Sequence, residues 1–587
     1  MNAEQAVAAA QAWIAADPDP ETRRELLAHV QAGDIAQLIE VMSGELQFGT
    51  AGLRALVGAG PLRMNRAVVR RTTAGLARYL TARRSAGDQA PIVVGADARG
   101  SSAPFLQETV GVLAAHGLPV CFFAAPVATP IAAYAARRLG ATACVVITAS
   151  HNPAEYNGYK LYGADAVQIV PPVDREIALE IARSAPANVE AVRLDALQGS
   201  VAGVSVVPAA LVEDYYRDLD ALRPVGSPAR ELRIAYTPLH GMGAACIERV
   251  LGLAGFTDLH VVEEQREPDG RFPTVLFPNP EEPGALDLVI RLAQQVQAEL
   301  VIANDPDVDR LAAAVPIGNG QYAPLTGNQI GLLLSDQALE RYALQPGAGR
   351  PRALVTQSIV SSPMLRSIAA AYGAHCEQTL TGFKWIWTAA LELMGSGQLS
   401  HVISFEEALG YSVGQLVRDK DGISAALLLC ELAAREKAHG GSLRARLERL
   451  YRRHGLWVSV QRSVTRPGLD GSREIREAMD RVCGKPPAQV MSTPVTAVCD
   501  FRSGGEQRPR WLGNTSLVEL ALGERGRILV RPSGTEPKLK IYIDLSRMLP
   551  AGADVWPAEG ELQEEASAYG EALVKELGFT SAPQAPT

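Results

Sequence analysis

Short apolar runs alternate with amphipathic stretches over most of the chain. The apolar runs have the length of buried strands and predict them at 91–97, 118–124, 143–148, 232–236, 259–262, 299–303, 353–356 and 401–405. The more polar HisCysGluGlnThr at 375–379 is predicted as a strand from its place in the same alternation. The stretches between them predict helices near 103–116, 129–138, 242–254, 284–297, 362–372 and 384–394. Strands that alternate with helices are typical of mostly parallel sheets covered by helices on both faces.

The two ends of the chain follow other patterns. Residues 1–45 are helical in pattern and are interrupted by AspProAspPro at 17–20. After about residue 456, the runs 526–531 and 539–545 flank a turn at 532–537 and predict an antiparallel pair. We therefore expect an α/β fold of three similar α/β domains with mixed, mostly parallel sheets, followed by a C-terminal α+β domain. The expected boundaries are 1–206, 207–323, 324–455 and 456–587.

Composition narrows the class of protein. The 587 residues are 47% hydrophobic and 20% charged, which suits several globular cores, and the net charge of −8 does not favour non-specific binding of nucleic acid. No uncharged apolar run reaches the roughly 18 residues that a membrane-spanning helix needs. The seven cysteines form no CxxC pair, as expected of structural thiols in a reducing compartment. We expect a cytoplasmic protein without a nucleic-acid or membrane partner.

The motif ValIleThrAlaSerHisAsnPro at 146–153 follows the third predicted strand. Ser150 and His151 thus lie past the carboxyl end of a strand, where open α/β sheets bind ligands. A serine there can serve as a nucleophile or carry a phosphate, although most loop serines only stabilise turns. Lys160 follows ten residues later, and a lysine near a phosphorylated serine can neutralise charge or transfer a proton.

Three aspartates alternate directly after the strand at 299–303, namely Asp305, Asp307 and Asp309. Crowded carboxylates repel one another unless a cation lies between them, and hard oxygen ligands favour Mg²⁺ or Ca²⁺. An EF-hand is excluded, since Arg310 and Pro316 occupy its glycine and glutamate positions. The alternative is a solvated acidic turn. We expect one Mg²⁺ per chain, with an oxygen on Ser150 as a further ligand.

A cluster of hydrogen-bond donors occupies the predicted turn of the C-terminal domain. It consists of Arg531, Ser533, Gly534 and Thr535, with Lys540 close behind in sequence. Backbone N–H groups beside a glycine can form an anion nest, which an arginine and hydroxyls complete as a phosphate site. The alternative is an ordinary β-turn.

Three further segments follow strand ends or predicted turns. Glu406 and Glu407 end a buried strand and can accept hydrogen bonds from sugar hydroxyls, although acidic residues also favour helix N-termini. Thr381, Gly382 and Lys384 follow another strand, and Lys384 can contact a phosphate. Lys420 lies in AspLysAspGly at 419–422, which is typical of a surface turn, and the alternative is a turn that faces the cleft.

Taken together, the motifs resemble those of the α-D-phosphohexomutase superfamily, which contains phosphoglucomutases and phosphomannomutases. The resemblance covers about residues 48–545 in the family's order. It rests on PheGlyThrAlaGlyLeuArg (48–54), GlyAlaAspAlaArgGlySerSer (95–102), ThrAlaSerHisAsnPro (148–153), AspProAspValAspArg (305–310) and ArgProSerGlyThrGluPro (531–537).

One segment departs from the family's pattern. The family's sugar-recognition loop usually reads GlyGlu-x-SerGlyHis, whereas this chain has GluGluAlaLeuGlyTyr at 406–411. Glu407 keeps the carboxylate, and Leu409 and Tyr411 replace the serine and the histidine. The variant resembles the branch that holds certain bacterial phosphoglucomutases and phosphopentomutase-type enzymes.

The resemblance implies four domains around a central cleft and a phosphosugar mutase. Phospho-Ser150 would exchange its phosphoryl group with the sugar through a bisphosphorylated intermediate, with a sugar 1,6-bisphosphate as activator. Mg²⁺ would be held by Asp305, Asp307, Asp309 and Ser150. Catalytic roles would fall to His151, Lys160, Lys420 and Arg54, and substrate contacts to Arg310, Thr381, Gly382, Lys384, Glu406, Glu407, Lys540 and the cluster at 531–535.

The substrate implied first is glucose phosphate, followed by mannose and pentose phosphates, in a monomer or weak homodimer. A sugar-bisphosphate synthase on the same fold, a serine hydrolase and a non-catalytic sugar-phosphate binding protein are the alternatives.

Overall fold

The protein divides into two compact units in this computed structural model. The structure describes residues 1–49, 52–85, 87–184, 189–192, 201–223, 230–345, 347, 349–466, 468–533 and 538–579. Unit 1 comprises Met1–Pro324 and Gly410–Glu431, and unit 2 comprises Leu325–Leu409 and the chain from Leu432 onward. A short later segment of the chain therefore belongs to the unit that is built mainly from the N-terminal half.

The elements up to Leu325 begin with three helices that confirm the helical pattern predicted for 1–45. They are α1 Ala3–Ala16, α2 Pro20–Ala32, α3 Ile35–Met42, β1 Leu53–Leu56, α4 Arg66–Thr81, β2 Ile92–Ala96, α5 Ser102–Ala115, β3 Val120–Phe122, α6 Thr129–Arg138, β4 Ala143–Ile147, β5 Tyr156–Tyr162, α7 Val173–Ala182, β6 Val204–Val206, α8 Ala209–Asp220, β7 Ile234–Thr237, α9 Gly243–Ala254, β8 Leu259–Val261, α10 Glu263–Arg266, α11 Asp287–Val296, β9 Leu300–Ala303, β10 Ala312–Gly318 and β11 Gln321–Leu325.

The remaining elements alternate at first and then become mainly antiparallel strands. They are α12 Gly327–Leu344, β12 Arg352–Ser358, α13 Met364–Ala371, β13 His375–Thr379, α14 Phe383–Met394, β14 Leu399–Glu406, β15 Gly410–Val413, α15 Gly422–Ala438, α16 Leu443–His454, β16 Leu456–Thr465, α17 Gly468–Gly484, β17 Gln489–Val490, β18 Thr493–Pro494, β19 Ala497–Asp500, β20 Val518–Ala521, β21 Gly526–Pro532, β22 Lys538–Arg547 and α18 Val555–Glu576.

The first sheet has the strand order β1-β5-β4-β2-β3-β6. Its centre is parallel, because β2 pairs with both β3 and β4, and the side chains of β2 and β4 are buried throughout. β5 runs antiparallel to β4 and places Lys160 opposite Val146. The turn back from β4 to β5 therefore carries Ser150 at its start and returns Lys160 to the same end of the sheet.

The second sheet has the order β11-β10-β9-β7-β8. β7 pairs in parallel with β8 and β9, whereas β10 turns back and pairs antiparallel with β9, Ala312 opposite Ala303. The connection between β9 and β10 contains the three aspartates, so that both of its ends are fixed by neighbouring strands of one sheet.

In unit 2, β12 pairs in parallel with β13 and β14. A separate antiparallel sheet follows with the order β16-β22-β21-β20-β19. In it β21 pairs with β22, Pro532 opposite Leu539, which confirms the antiparallel pair predicted for 526–531 and 539–545. Three mixed or parallel sheets followed by an antiparallel one confirm the predicted fold class.

All seven cysteines are free thiols, four of them buried. Within the described residues, the helices are too short or too polar to cross a bilayer.

Candidate active site

Ser150 is the third residue after the end of β4, and it is buried in unit 1. Its backbone has a φ of 52°, in the left-handed region that few residues other than glycine adopt. The hydroxyl donates a hydrogen bond of 2.7 Å to Oδ2 of Asp305, and its oxygen lies 3.3 Å from Nδ1 of His151. The loop thus directs the predicted serine at the predicted aspartates.

Arg99 anchors this loop through its backbone carbonyl groups. Its guanidinium nitrogens donate to the backbone carbonyls of Ser150, Asn152, Pro153 and Tyr156 at 2.6–3.1 Å. Its Nε donates to Asp97 at 3.2 Å, and both side chains are almost fully buried. One planar, permanently charged group therefore fixes four carbonyls of the Ser150 loop.

The three aspartates occupy one tight turn between β9 and β10. All three are fully buried, and one oxygen from each lies within 4.8 Å of the others. Oδ1 of Asp305 accepts the backbone N–H of Arg310 at 3.0 Å, and Val308 takes a left-handed φ of 64°. This turn brings alternate side chains of the sequence to a single point, as predicted.

Two lysines lie against the triad. Nζ of Lys160 donates to Oδ2 of Asp307 at 2.6 Å and to Oδ2 of Asp309 at 2.8 Å, and Nζ of Lys420 lies 3.1 Å from Oδ2 of Asp309. Burial alone would lower the pKa of Lys160, but the carboxylates of Asp307 and Asp309 raise that pKa above its usual value. Burial also opposes the charge of Lys420, but the carboxylates of Asp309 and Asp419 raise its pKa above the usual value. Both lysines are therefore ammonium groups beside the triad.

The triad fits a hard cation. Among the described residues, Oδ1 of Asp307 and Oδ1 of Asp309 are buried without a hydrogen-bond partner, which is costly for a carboxylate unless a cation completes the site. Burial and the neighbouring Asp307 and Asp309 raise the pKa of Asp305 well above its usual value. The free oxygens, the hydroxyl of Ser150 and the all-oxygen donor set are suited to Mg²⁺ or Ca²⁺.

The turn at 419–422 is more deeply buried than the sequence pattern indicates. Oδ2 of Asp419 accepts hydrogen bonds from the hydroxyl of Tyr162 at 2.7 Å and the amide of Gln168 at 2.8 Å. Asp421 accepts the hydroxyl of Tyr215 at 2.9 Å and is likewise buried. These two aspartates anchor the turn in unit 1 and so place Lys420 beside the triad.

The remaining predicted residues of unit 1 lie around the same loops. Arg54, on β1, is exposed and donates to the side chain of Asn152 at 2.9 Å. Arg310 lies 3.3 Å from the carboxylate of Glu281. Burial and the charge of Arg310 lower the pKa of His151 well below its usual value. The structure thus brings all the predicted residues of unit 1 to one place.

A second group of predicted residues forms in unit 2. Oε2 of Glu407 accepts hydrogen bonds from the hydroxyls of Ser358 at 2.9 Å and Ser361 at 3.2 Å. Oε1 of Glu406 accepts the backbone N–H of Gly382 at 2.6 Å, and Gly382 has a φ of 115° that suits glycine. The 381–385 segment and the two glutamates are therefore neighbours, as expected of one binding surface.

Arg531 joins the C-terminal cluster to this group, because its guanidinium donates to the hydroxyl of Thr381. Lys540 lies opposite Arg531 in the antiparallel register, and the N–H of Ser533 donates to the carbonyl of Lys538 at 2.7 Å. Lys384 is half-buried in the first turn of α14. Gly534 and Thr535 lie outside the described residues.

Sequence reasoning missed several contributors. Arg99 belongs to the recognised segment 95–102, but its partners are backbone carbonyls, which no side-chain pattern reveals. Thr129 donates its hydroxyl to Oδ2 of Asp307 at 2.8 Å from the start of α6. Ser358 and Ser361 come shortly after the predicted strand 353–356 in the sequence. A search for hydroxyl side chains past the end of that strand would therefore have found them.

The chain matches known families over most of its length. Four regions match the family described as Phosphoglucomutase/phosphomannomutase: its alpha/beta/alpha domain I over residues 45–187, domain II over 213–318, domain III over 326–454 and its C-terminal domain over 498–545.

Individual relatives agree. A protein named Probable phosphomannomutase from Haemophilus influenzae is 38% identical over 497 residues, covering 84% of this chain and 95% of that protein. Human phosphopentomutase is 32% identical over 599 residues, covering 98% of this chain and 96% of the relative. The crystal structure of a putative phosphomannomutase from Thermus thermophilus has a TM-score of 0.67 at 21% identity, covers 91% of this chain and 99% of that one, and shows the same fold.

These matches confirm the resemblance predicted from the motifs. The matched domains occur in the order in which the chain presents the serine loop, the aspartate turn, the glutamate segment and the C-terminal strands. The chain therefore belongs to the phosphoglucomutase/phosphomannomutase family of the α-D-phosphohexomutase superfamily and is a phosphosugar mutase, an intramolecular phosphotransferase.

Proposed function

We propose that the enzyme interconverts glucose 1-phosphate and glucose 6-phosphate through phospho-Ser150 and glucose 1,6-bisphosphate. The observation that carries this proposal is the hydrogen bond of 2.7 Å between Ser150 and Asp305, which ties a buried loop serine to a triad with two free carboxylate oxygens. A phosphate carrier needs positive charge beside it, and the free carboxylate oxygens of the triad are suited to hold the cation that supplies it.

Asp305, Asp307 and Asp309, with an oxygen on phospho-Ser150, would hold one Mg²⁺. When bound, Mg²⁺ neutralises negative charge on the phosphoryl group in transfer.

In the first half-reaction, the bond between phosphorus and Oγ of Ser150 breaks and a bond to a sugar hydroxyl oxygen forms. The hydroxyl proton must reach Oγ of Ser150. His151, with Nδ1 3.3 Å from Oγ, is in position to transfer it. Lys160 and Lys420 remain ammonium donors against the carboxylates, and Arg54 and Arg310 bind the phosphoryl oxygens. The second half-reaction reverses these bond changes at the other end of the sugar.

The residues of unit 2 would hold the rest of the substrate. Glu407, steadied by two serine hydroxyls, accepts hydrogen bonds from the sugar ring. Glu406 fixes Gly382 and so orients the 381–385 segment. The phosphate that does not react would be bound by Thr381, Lys384, Arg531, Ser533, Gly534, Thr535 and Lys540.

Pentose phosphate is the second candidate substrate. It is favoured by the human phosphopentomutase relative, which covers 98% of this chain. Leu409 and Tyr411, which replace the family's usual serine and histidine, are both buried. Leu409 has no polar side-chain group, and Tyr411 is buried with its hydroxyl, so neither replaces the family's usual serine and histidine as an exposed polar contact that would favour a hexose.

The test is a coupled mutase assay with Mg²⁺ and a trace of glucose 1,6-bisphosphate. Glucose 1-phosphate, mannose 1-phosphate and ribose 1-phosphate are compared at matched concentrations, with Ser150→Ala as the inactive variant and Ser205→Ala, an exposed serine of β6, as the control. We expect the highest kcat/KM for glucose 1-phosphate and complete loss with Ser150→Ala alone. A higher kcat/KM for ribose or mannose 1-phosphate would reassign the sugar.

The alternatives give other outcomes in the same preparation. Sugar bisphosphate that accumulates only with a second phosphoryl donor indicates a synthase. Labelling of Ser150 by a fluorophosphonate without mutase activity indicates a hydrolase, and binding without turnover indicates a binding protein.

We further propose a cytoplasmic location, supported by the free thiols, and a monomer or weak homodimer, which light scattering would test.

A further inference from the structure

Thr129 contacts Asp307 through two separate hydrogen bonds. Its hydroxyl donates to Oδ2 of Asp307 at 2.8 Å, and its backbone N–H donates to the carbonyl oxygen of Asp307 at 3.0 Å. Thr129 is fully buried and lies in none of the motifs by which the site was recognised. One residue outside the aspartate turn thus holds both the main chain and the side chain of the central aspartate.

The start of α6 explains why this contact is stable. The residue before the helix, Ala128, has no side chain that can cap it, and Pro130 has no N–H group. The N–H of Thr129 is therefore satisfied by the carbonyl of Asp307 instead of by a cap within the helix. Because the positive end of the helix dipole faces this point, the helix also favours the negative charge of Asp307.

The oxygens of Asp307 divide into one that is held and one that is free. Oδ2 accepts hydrogen bonds from Lys160 and Thr129, whereas Oδ1 has no partner among the described residues. Lys160 also binds Asp309, so its flexible side chain can follow either carboxylate. The hydroxyl of Thr129 is attached to a rigid helix and fixes the rotation of the Asp307 carboxylate.

Asp309 shows the same division, because two lysines hold its Oδ2 and its Oδ1 has no partner among the described residues. Both oxygens of Asp305 are held, Oδ1 by the N–H of Arg310 and Oδ2 by the hydroxyl of Ser150. The partners that hold ligand oxygens orient metal ligands and commonly change metal affinity when they are removed. Asp307 differs in that a neutral hydroxyl from a separate helix helps to hold it.

We propose that Thr129 is a positioning residue for a divalent cation at the triad and that its hydroxyl sets the direction of the free Oδ1 of Asp307. The inference rests on the metal site of the proposed function. It assigns to α6 a part in cation affinity, in addition to its part in the fold.

The test measures binding of Mn²⁺ alone, by the electron paramagnetic resonance signal of free Mn²⁺, with Mg²⁺ as competitor. Thr129→Val keeps the shape and the backbone N–H but removes the hydroxyl, and Thr129→Ser restores it. Thr109→Val is the matched control, because Thr109 is equally buried in α5 and its hydroxyl donates, within the part of the chain that the structure describes, only to the carbonyl of Phe105 in its own helix. Intact-protein mass spectrometry checks that all the proteins compared are phosphorylated on Ser150 to the same extent.

We expect Thr129→Val to weaken Mn²⁺ binding by about 10–100-fold, with Thr129→Ser and Thr109→Val close to the unchanged protein. The melting temperature in EDTA measures the structural cost of each substitution separately. A purely structural role of Thr129 would lower this melting temperature without changing the Mn²⁺ affinity. Unchanged Mn²⁺ affinity in Thr129→Val would overturn the inference while leaving the metal site intact.

Absence of Mn²⁺ binding in the unchanged protein would overturn the metal site and the inference together. If Thr129→Val does not fold, Thr129→Ala takes its place, with Thr109→Ala as its control.

Discussion

Arg99 shows how much of the site depends on a single side chain that contacts the predicted nucleophile only through a backbone carbonyl. Its guanidinium serves four backbone carbonyls of the Ser150 loop and the carboxylate of Asp97, with almost no exposure to solvent. Only arginine presents five N–H donors in a fixed plane, and a lysine supplies three donors from one point. The left-handed backbone at Ser150 is therefore maintained by a network that lysine cannot reproduce.

Replacement of Arg99 by lysine should lower kcat on the order of a hundredfold, because a displacement of about 1 Å at the nucleophile has an effect of that size. The coupled mutase assay measures it. Arg271→Lys is the control, since Arg271 is exposed in the same unit and, among the described residues, pairs only with Asp269. An Arg99→Lys enzyme with undiminished kcat and an unchanged melting temperature would show that the loop keeps its shape without the guanidinium.

At the scale of single residues, the sequence identified the candidate catalytic and metal-binding residues but not the residues that position them. Ser150 and the three aspartates are visible because their side chains occur in a pattern directly after strands. Arg99 and Thr129 are invisible in that way, since their partners are a carbonyl group or a carboxylate some fifty or more positions away. Lys420 was found, but its burial was not, because the tyrosines that anchor its turn in unit 1 lie far back in the chain.

Two loops of the second sheet are packed against each other at the site. The loop after β7 has two successive residues other than glycine with positive φ, Leu239 at 48° and His240 at 59°. The next residue, Gly241, lies so near Pro306 that an added Cβ would be 2.3 Å from its Cα, and the N–H of Met242 donates to the carbonyl of Pro306 at 2.8 Å. The aspartate turn therefore rests on a loop that leaves no room for a side chain.

Gly241→Ala should lower the free energy of unfolding by about 1–3 kcal/mol, the usual cost of overpacking. Gly252→Ala is the matched change, because Gly252 is exposed in α9 with no atom near an added Cβ. It should raise the same free energy by up to about 1 kcal/mol, since alanine favours helix. Urea unfolding of both variants tests the opposite signs, and equal effects would contradict the close approach of the two loops.

Elements in which apolar residues recur with a single clear period were predicted well. An example is α6, whose bounds agree with the predicted 129–138. β5 was not predicted as a strand. It is almost wholly buried yet contains Asn157 and Lys160, whose polar groups are satisfied by Ser101 and Ser102 or by the aspartates. A strand whose polar residues serve the site loses the apolar pattern that would identify it.

The chain crosses between the two units three times, and this threading of the chain is called the interlock below. The chain leaves unit 1 at Pro324, returns to it at Gly410 and leaves again after Glu431. The returning segment is held in unit 1 by Lys420 on Asp309 and by hydrogen bonds of Tyr162 and Tyr215 to its aspartates. In unit 2, α12 packs against β14, with Gly331 directly against the ring of Phe405.

Cleavage between α12 and β12 should therefore leave the pieces associated. The N-terminal piece keeps α12, which packs in unit 2, and the C-terminal piece keeps 410–431, which packs in unit 1. A specific protease site inserted there, followed by size-exclusion chromatography with light scattering, should show one particle with the mass of the uncut chain. The cut protein in urea provides the separated reference, and separation without urea would disprove the interlock.

The interlock also sets an order of events during synthesis on the ribosome. The aspartates at 305–309 are made about 110 residues before Lys420, which at 5–20 residues per second is on the order of 5–20 s. During that interval Asp309 has Lys160 but not Lys420, and the hydroxyls of Tyr162 and Tyr215 lack their acceptors. Because β12, β13 and β14 are made in the same interval, the N-terminal unit receives its last buried hydrogen bonds only after the first sheet of the other unit has been synthesised.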